Sequence, residues 1–330
     1  MIIVSRTPLR VSFFGGGTDY PEYFRRARGA VVGMAIDKYI YISALRLSSI
    51  LEYRYRVSYS RIETVTDASL IQHPVVRSVI AHCGVTEALD LSIMADLPAK
   101  SGLGSSSSFT VGFLNLIGTL QKRQITKLDL ARQAVFVERD LLAENVGVQD
   151  QYHAAFGGLN RFDFEGQRTR ISPVQMGGPS LAALTDSLLL VYTGVTRFAS
   201  ATLDEQMART KQGTVDRDLS HLLTLTDQAV EVLEGDDPER MLTDFGAMLH
   251  EGWETKKRLS SKVSGPEIDA LYAAARDAGA LGGKLCGAGS GGFLLMLVPA
   301  ERQERFRERL AGAAITRIGL DTIGSTILTG

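Results

Sequence analysis

Ile2–Phe14 is dense in apolar and β-branched side chains and reads as a strand, with Pro8 inside it. It runs into Gly15-Gly16-Gly17, and Pro21–Arg28 follows as a short helix. Ala30–Arg46 and Tyr53–Tyr59 alternate or run apolar and predict two more strands. His73–His82 has helical period, and Leu89–Ala95 reads as another strand. Apolar residues at helical spacing predict a helix over Phe109–Gln121, one long helix over Lys127–Asn145 and a third over Gln149–Phe156.

Beyond Gly157-Gly158 the character changes. Leu159–Phe164 and Arg168–Val174 read as a strand pair, and Leu188–Tyr192 as a short apolar strand. Residues 200–280 are mostly helical in pattern, with Asp236-Asp237-Pro238 starting one helix and Gly265-Pro266 another. Gly282–Gly292 reads as a glycine-rich loop, Phe293–Val298 as a strand and Glu301–Leu310 as an amphipathic helix. Strands and helices mix without strict alternation, so the fold class is α+β. A boundary falls near 165–180, giving two domains, 1–170 and 171–330.

Composition narrows the function classes. The 36 basic residues balance 37 acidic ones, so the excess of positive charge that nucleic-acid backbones require is missing, and no nucleic-acid partner is expected. Cys83 and Cys286 stand far apart and match no metal spacing; a disulfide framework is excluded and a reducing cytoplasm is expected. No apolar run is long enough for a membrane span, and the first residues show no signal pattern. A homo-oligomer is left open.

The chemistry concentrates in glycine loops. Lys100-Ser101-Gly102-Leu103-Gly104-Ser105-Ser106-Ser107 lies between a strand and a helix. Small residues let N–H groups converge there, and the helix start adds partial positive charge, which together suit a phosphate. A serine-rich helix cap would use the same residues. The segment is not a P-loop of the G-x-x-x-x-G-K-[ST] kind, because no lysine follows Gly104. Gly287–Gly292 matches G-x-G-x-x-G, but a strand rather than a helix follows, so the dinucleotide reading fails. Asp150 stands at a glycine-containing helix start, where it can be an oriented base or a helix cap. Cys286 reads as a small buried apolar residue.

Taken in order, Arg10–Tyr20, Pro98–Ser106 and Lys284–Gly292 resemble the three motifs of the GHMP kinases, and the resemblance runs through the whole chain. It implies two α+β domains, like ribosomal protein S5 domain 2 and ferredoxin, with the active site between them, and it implies ATP and Mg²⁺. Gly15–Pro21, Gly102–Ser108 and Val148–Gln151 bring the chain nearest to the members acting on D-glycero-D-manno-heptose 7-phosphate, with fucokinases next. Galactokinases carry a Glu-His pair where Gly16 and Gly17 stand here, which leaves room for a different or larger sugar.

By that resemblance, Asp150 and Arg10 are catalytic, residues 100–107 hold ATP, and Ser106 with Glu138 binds Mg²⁺. Gly16, Gly17, Thr18, Asp19 and Gly289 contact the sugar. A phosphorylated sugar needs a cationic clamp. Arg25, Arg28, Lys38 and Arg197 are candidates for it, with Arg28 and above all Arg197 preferred. The implied reaction is phosphorylation of the anomeric hydroxyl of the heptose 7-phosphate to a 1,7-bisphosphate, supplying nucleotide-activated heptose for capsule, lipopolysaccharide or S-layer glycans. A fucokinase, a decarboxylase of the mevalonate-diphosphate type and an inactive ligand-binding member are the competing readings.

Overall fold

A computed structural model of the chain describes residues 2–195, 200–289 and 291–329. Its first sheet contains β1 (Ile2–Phe14), β2 (Gly29–Arg46), β3 (Tyr55–Ser58), β4 (Ile62–Val65), β5 (Leu89–Ala95), β6 (Leu159–Glu165) and β7 (Arg168–Pro173). The second contains β8 (Leu188–Tyr192), β9 (Gly282–Leu285), β10 (Phe293–Leu297) and β11 (Ile315–Arg317), in the order β11-β8-β10-β9. The last strand, β12 (Thr326–Thr329), returns to the first sheet and pairs antiparallel with β1, Ile3 facing Thr329. Strands of the second sheet therefore all come from beyond residue 170, but that part of the chain also supplies an edge of the first sheet.

Helices α1 (Pro21–Phe24), α2 (Pro74–His82), α3 (Ser105–Leu120), α4 (Lys127–Phe136) and α5 (Gln149–Phe156) belong to the first part of the chain. The remainder are α6 (Gly178–Ser187), α7 (Ser200–Lys211), α8 (Asp216–Leu233), α9 (Pro238–Lys257), α10 (Pro266–Asp277) and α11 (Gln303–Arg309). Asp237 caps α9 as its sequence suggests, accepting from the N–H groups of Glu239 and Arg240. Among the described residues, no helix is long and apolar enough to cross a membrane.

Pro8 is tolerated within β1 because a register shift against β2 falls between Pro8 and Leu9, where the ladder loses its regularity. Its carbonyl is taken by the Ser108 hydroxyl at 2.7 Å. Helix α3 is buried nearly all round, which fixes the loop before it. The run of leucines in β8 follows from burial of both sheet faces. Leu188 and Leu190 join a core with Phe13, Phe113 and Phe245, whereas Leu189 and Val191 join Trp253 and Phe306.

Three expected elements need correction. The helix from Pro21 ends at Phe24, after a single turn. The long helix from Lys127 stops being α-helical at Phe136, passes through a π-helical turn, Val137–Leu141, and ends before Ala143 at φ +53°. Such a turn re-aims side chains; Glu138 goes inward and Arg139 the other way. The loop from Gly282 begins instead as β9. A Cβ on Gly282 would lie 1.9 Å from the Gly246 carbonyl oxygen, so glycine is there to let α9 pack on the strand. Leu89–Ala95 keeps its place, but it pairs parallel with β3, and the short strand β4 beside them has too little pattern to be read.

Candidate active site

Two glycine segments meet at the centre of the molecule. A Cβ on Gly102 would sit 2.4 Å from the Cys286 carbonyl oxygen, and one on Gly287 would sit 2.5 Å from the Gly102 Cα. Both residues have positive φ, +80° and +72°, so glycine is required twice over. The loop before α3 thus lies backbone to backbone on the loop after β9. A cleft opens beside this contact, lined also by the Gly16–Tyr20 turn, the start of α5 and the end of α9.

Arg10 reaches into the cleft from β1. Its Nε donates to Asp150 Oδ1 at 2.7 Å and its Nη2 to Asp150 Oδ2 at 2.8 Å. Nη1 donates to the Gly102 carbonyl at 2.7 Å. The guanidinium therefore fixes a carboxylate and the glycine loop together, with the planar fork that lysine lacks. Arg10 is 6% exposed and Asp150 24%, so the carboxylate keeps an open side towards the cleft.

Asp19 lies on the opposite side. It is buried, accepts from the Gly17 N–H at 2.9 Å and from Gln149 Nε2 at 3.0 Å, and burial raises its pKa above the ordinary carboxylate value. Gly147 presses against it, since a Cβ there would fall 2.0 Å from Asp19 Oδ2. Gly147→Ala is expected to push Asp19 out of place, raising KM for the acceptor several-fold with little change in KM for the nucleotide. Initial-rate kinetics with each substrate varied will check this.

Glu138 sits one side chain behind the cleft. It is fully buried; Ser107 Oγ donates to its Oε2 at 2.8 Å, and Gln151 Nε2 donates to the same oxygen at 2.5 Å. Burial pushes its pKa up to about 7 despite hydrogen bonding around it. Thr110 is close by, but its hydroxyl goes to the Ser106 carbonyl at 3.2 Å. Oε1 is left buried without a hydrogen bond. A carboxylate with an unpartnered oxygen, next to serine hydroxyls, suits Mg²⁺, which takes few protein ligands and shares substrate phosphates. Among the described residues there is no cluster of three or more His, Cys, Asp or Glu side chains to hold a metal by themselves.

Most of the residues singled out in the sequence converge here. Gly102, Gly104, Ser105, Ser106 and Ser107 line the cleft with Arg10, Asp150, Gly16, Gly17 and Asp19. Ser101 and Leu103 are buried behind the loop, and Lys100 is at its exposed edge. Some placements differ from the expectation. Glu138 bonds to Ser107 rather than Ser106, because Ser107 points inward and Ser106 outward at the helix start. Thr18 does not reach the cleft: its hydroxyl is within 2.8 Å of the Gly15 carbonyl and 2.9 Å of the Ala30 carbonyl, holding the turn onto β2. Gly289 packs against the Val263 backbone, and Gly287 and Ala288 line the cleft in its place. Arg28 is outside the cleft, ion-paired with Asp227 at 2.6 Å. Lys38 pairs with its neighbour Asp37. Arg197 lies outside the described residues.

Two lysines were not anticipated. Lys256, on α9, bonds to the Gly287 carbonyl, and burial lowers its pKa to about 8. Lys284 donates to the Phe13 carbonyl at 3.0 Å, and burial takes its pKa well below the usual value. Both line the cleft. Lys284 opens the third glycine motif, which was a usable signal; Lys256 is one of two adjacent lysines at the end of a charged helix and gave none.

Comparison with known proteins agrees with this arrangement. The family model of the GHMP kinases N terminal domain matches residues 69–158, and that of the GHMP kinases C terminal matches residues 238–315. The chain belongs to the GHMP kinases. The D-glycero-alpha-D-manno-heptose 7-phosphate kinase of Campylobacter jejuni is 29% identical over 309 residues, covering 90% of this chain and 89% of the relative. The L-fucokinase/L-fucose-1-P guanylyltransferase of Bacteroides fragilis is 26% identical, covering 90% of this chain and 34% of that longer protein. Among solved structures, a D-glycero-D-manno-heptose 1-phosphate kinase from Bacteroides thetaiotaomicron superimposes with a TM-score of 0.76 at 24% identity, covering 100% of this chain and 99% of that one. The two-domain kinase fold follows, and so does the reaction class of this GHMP sugar kinase, phosphoryl transfer to an alcohol acceptor.

Proposed function

We propose that this GHMP kinase transfers a phosphoryl group from ATP to the anomeric hydroxyl of D-glycero-D-manno-heptose 7-phosphate, giving the 1,7-bisphosphate. The observation that carries the reaction is the bidentate Arg10–Asp150 pair held beneath the glycine-serine loop. The 29% identity to a heptose 7-phosphate kinase over nearly the full length of both chains supports the acceptor, as does the opening left by Gly16 beside Asp19, where a Cβ would meet nothing closer than 3.6 Å.

Phosphoryl transfer depends on positioning and charge stabilisation. In this reading, the N–H groups at the start of α3 hold the nucleotide phosphates. Asp150 accepts the acceptor's hydroxyl proton and orients that oxygen, while Arg10 fixes the carboxylate and faces the charge on the moving phosphoryl group. Asp19 and Gln149 take sugar hydroxyls. Ser106, with Glu138 behind Ser107, would hold Mg²⁺, which supplies charge neutralisation on the phosphates. An anomeric hydroxyl is more acidic than an ordinary alcohol, so orientation is the larger part of the demand on Asp150.

The test is ADP release with Mg-ATP against a panel of acceptors: D-glycero-D-manno-heptose 7-phosphate, the unphosphorylated heptose, mannose, fucose, galactose and mevalonate. Turnover concentrated on the 7-phosphate is expected. Equal or better turnover of an unphosphorylated sugar would leave the kinase and remove the heptose phosphate.

A further inference from the structure

A second concavity lies behind α5, bounded by α1, α4 with its π-helical turn, and the β6–β7 hairpin. Three guanidinium groups line it, Arg25, Arg132 and Arg139, against one carboxylate, Asp140, and Tyr152 and Phe164 form part of its wall. Arg139 is engaged: Nη2 donates to Glu22 Oε1 at 2.8 Å, and Nη1 bonds to the Val146 carbonyl. Among the described residues, Arg25 and Arg132 have no side-chain ion pair or hydrogen bond. Isolated surface arginines are simply solvated. Here three share a concave site with aromatic side chains, and the site has more positive charge than its own carboxylate can balance. Arginine forks bind phosphate bidentately and stack on aromatic rings.

We propose that this concavity binds a small phosphate-bearing anion carrying two or more negative charges, and that its occupancy is coupled to the catalytic cleft. The coupling runs through α5 and the turn before it. Asp150 faces the cleft, while Val148 and Tyr152 of the same segment face the second site. Arg139 holds the Val146 carbonyl, the next residue Gly147 abuts Asp19, and the Val148 N–H donates to the Asp19 carbonyl at 3.1 Å. A phosphate competes with Val146 and Glu22 for Arg139. Among the described residues Glu22 has no other side-chain partner, and its Oε2 is buried without a hydrogen bond, so when Arg139 turns to the phosphate the Glu22 end of the contact is lost with the Val146 end. Binding therefore loosens the turn behind Asp19 and weakens acceptor binding, so the ligand is an inhibitor.

The experiment is a calorimetric titration of AMP, and separately of pyrophosphate, into the full chain. The cleft is first saturated with a magnesium-bound, unhydrolysable ATP analogue. One further site is expected, and the double variant Arg25→Ala/Arg132→Ala, altered only at exposed side chains, should weaken it by about tenfold or more, the scale of a lost charged hydrogen bond. AMP should also raise KM for the acceptor in the unaltered protein and not in the double variant. No further site for either probe, or equal affinity in the double variant, overturns the proposal. The binding arm involves no acceptor, so its outcome is separate from the identity of the sugar.

Discussion

Asp150→Asn is expected to lower kcat by roughly 10²–10⁴-fold, the range that a positioned general base contributes. The amide keeps one oxygen for Arg10 but loses the second charged bond of the fork, and it cannot take a proton. Because the loop before α3 is held independently, through Arg10 Nη1 on the Gly102 carbonyl, KM for ATP should change little. Asp150→Ala is the harsher variant: it leaves Arg10 buried with an incomplete set of acceptors, and removing one partner of a buried ion pair costs about 3–5 kcal/mol. Steady-state kinetics on the Asn variant and denaturant unfolding on both separate the two effects. A kcat within threefold of the starting protein would remove Asp150 from the reaction.

Glu138→Gln is expected to stabilise the protein at pH 8 while lowering its activity. Burial holds this carboxyl's pKa at about 7, against 4.5 ordinarily. Between those values the folded state binds more protons than the unfolded state, so stability falls as pH rises through that window and stays lower above it. The displacement corresponds to about 3 kcal/mol at full ionisation. An amide has no proton to lose, so the variant lacks the fall. Measured without divalent cations, its unfolding midpoint should exceed the original's clearly at pH 8 and much less at pH 5. An equal difference at both pH values would show that Glu138 does not ionise over that range. A gain in stability paired with a loss of turnover marks a carboxylate kept for chemistry rather than for the fold.

The readable parts of the site were those written in contiguous residues. Gly16, Gly17, Asp19, Gly102 and Gly104–Ser107 sit in or beside glycine-rich turns whose local sequence restricts the backbone, with Arg10 on the strand that runs into one of them and Asp150 at the helix start after another, and the structure brings them into one cleft. Thr18, in the same turn, misled because position in a motif does not tell which way a side chain points; its hydroxyl is spent on backbone carbonyls. The inward turn of Glu138 depends on a π-helical turn that leaves no mark in apolar spacing. Lys256 could not be read because its surroundings are long-range: the Gly287 carbonyl it meets belongs to a loop on another element. In the fold, the long strands and the helices that start at Asp237-Pro238 and Gly265-Pro266 were legible, whereas α6, with Pro179 in its first turn, was not. Strands β4, β9, β11 and β12 have three or four residues each, too short for a period, and exist only through their partners.

One of those partners sets the order in which the molecule can be completed. Strand β12 borders β1 from almost the other end of the chain. The entropy of closing so long a loop grows only with the logarithm of its length, so this pairing takes little from equilibrium stability. Its effect is on time. Contacts between distant residues slow folding, and during synthesis β1 emerges long before β12. The strand that carries Arg10 thus keeps an open edge until the second sheet and its helices have been made.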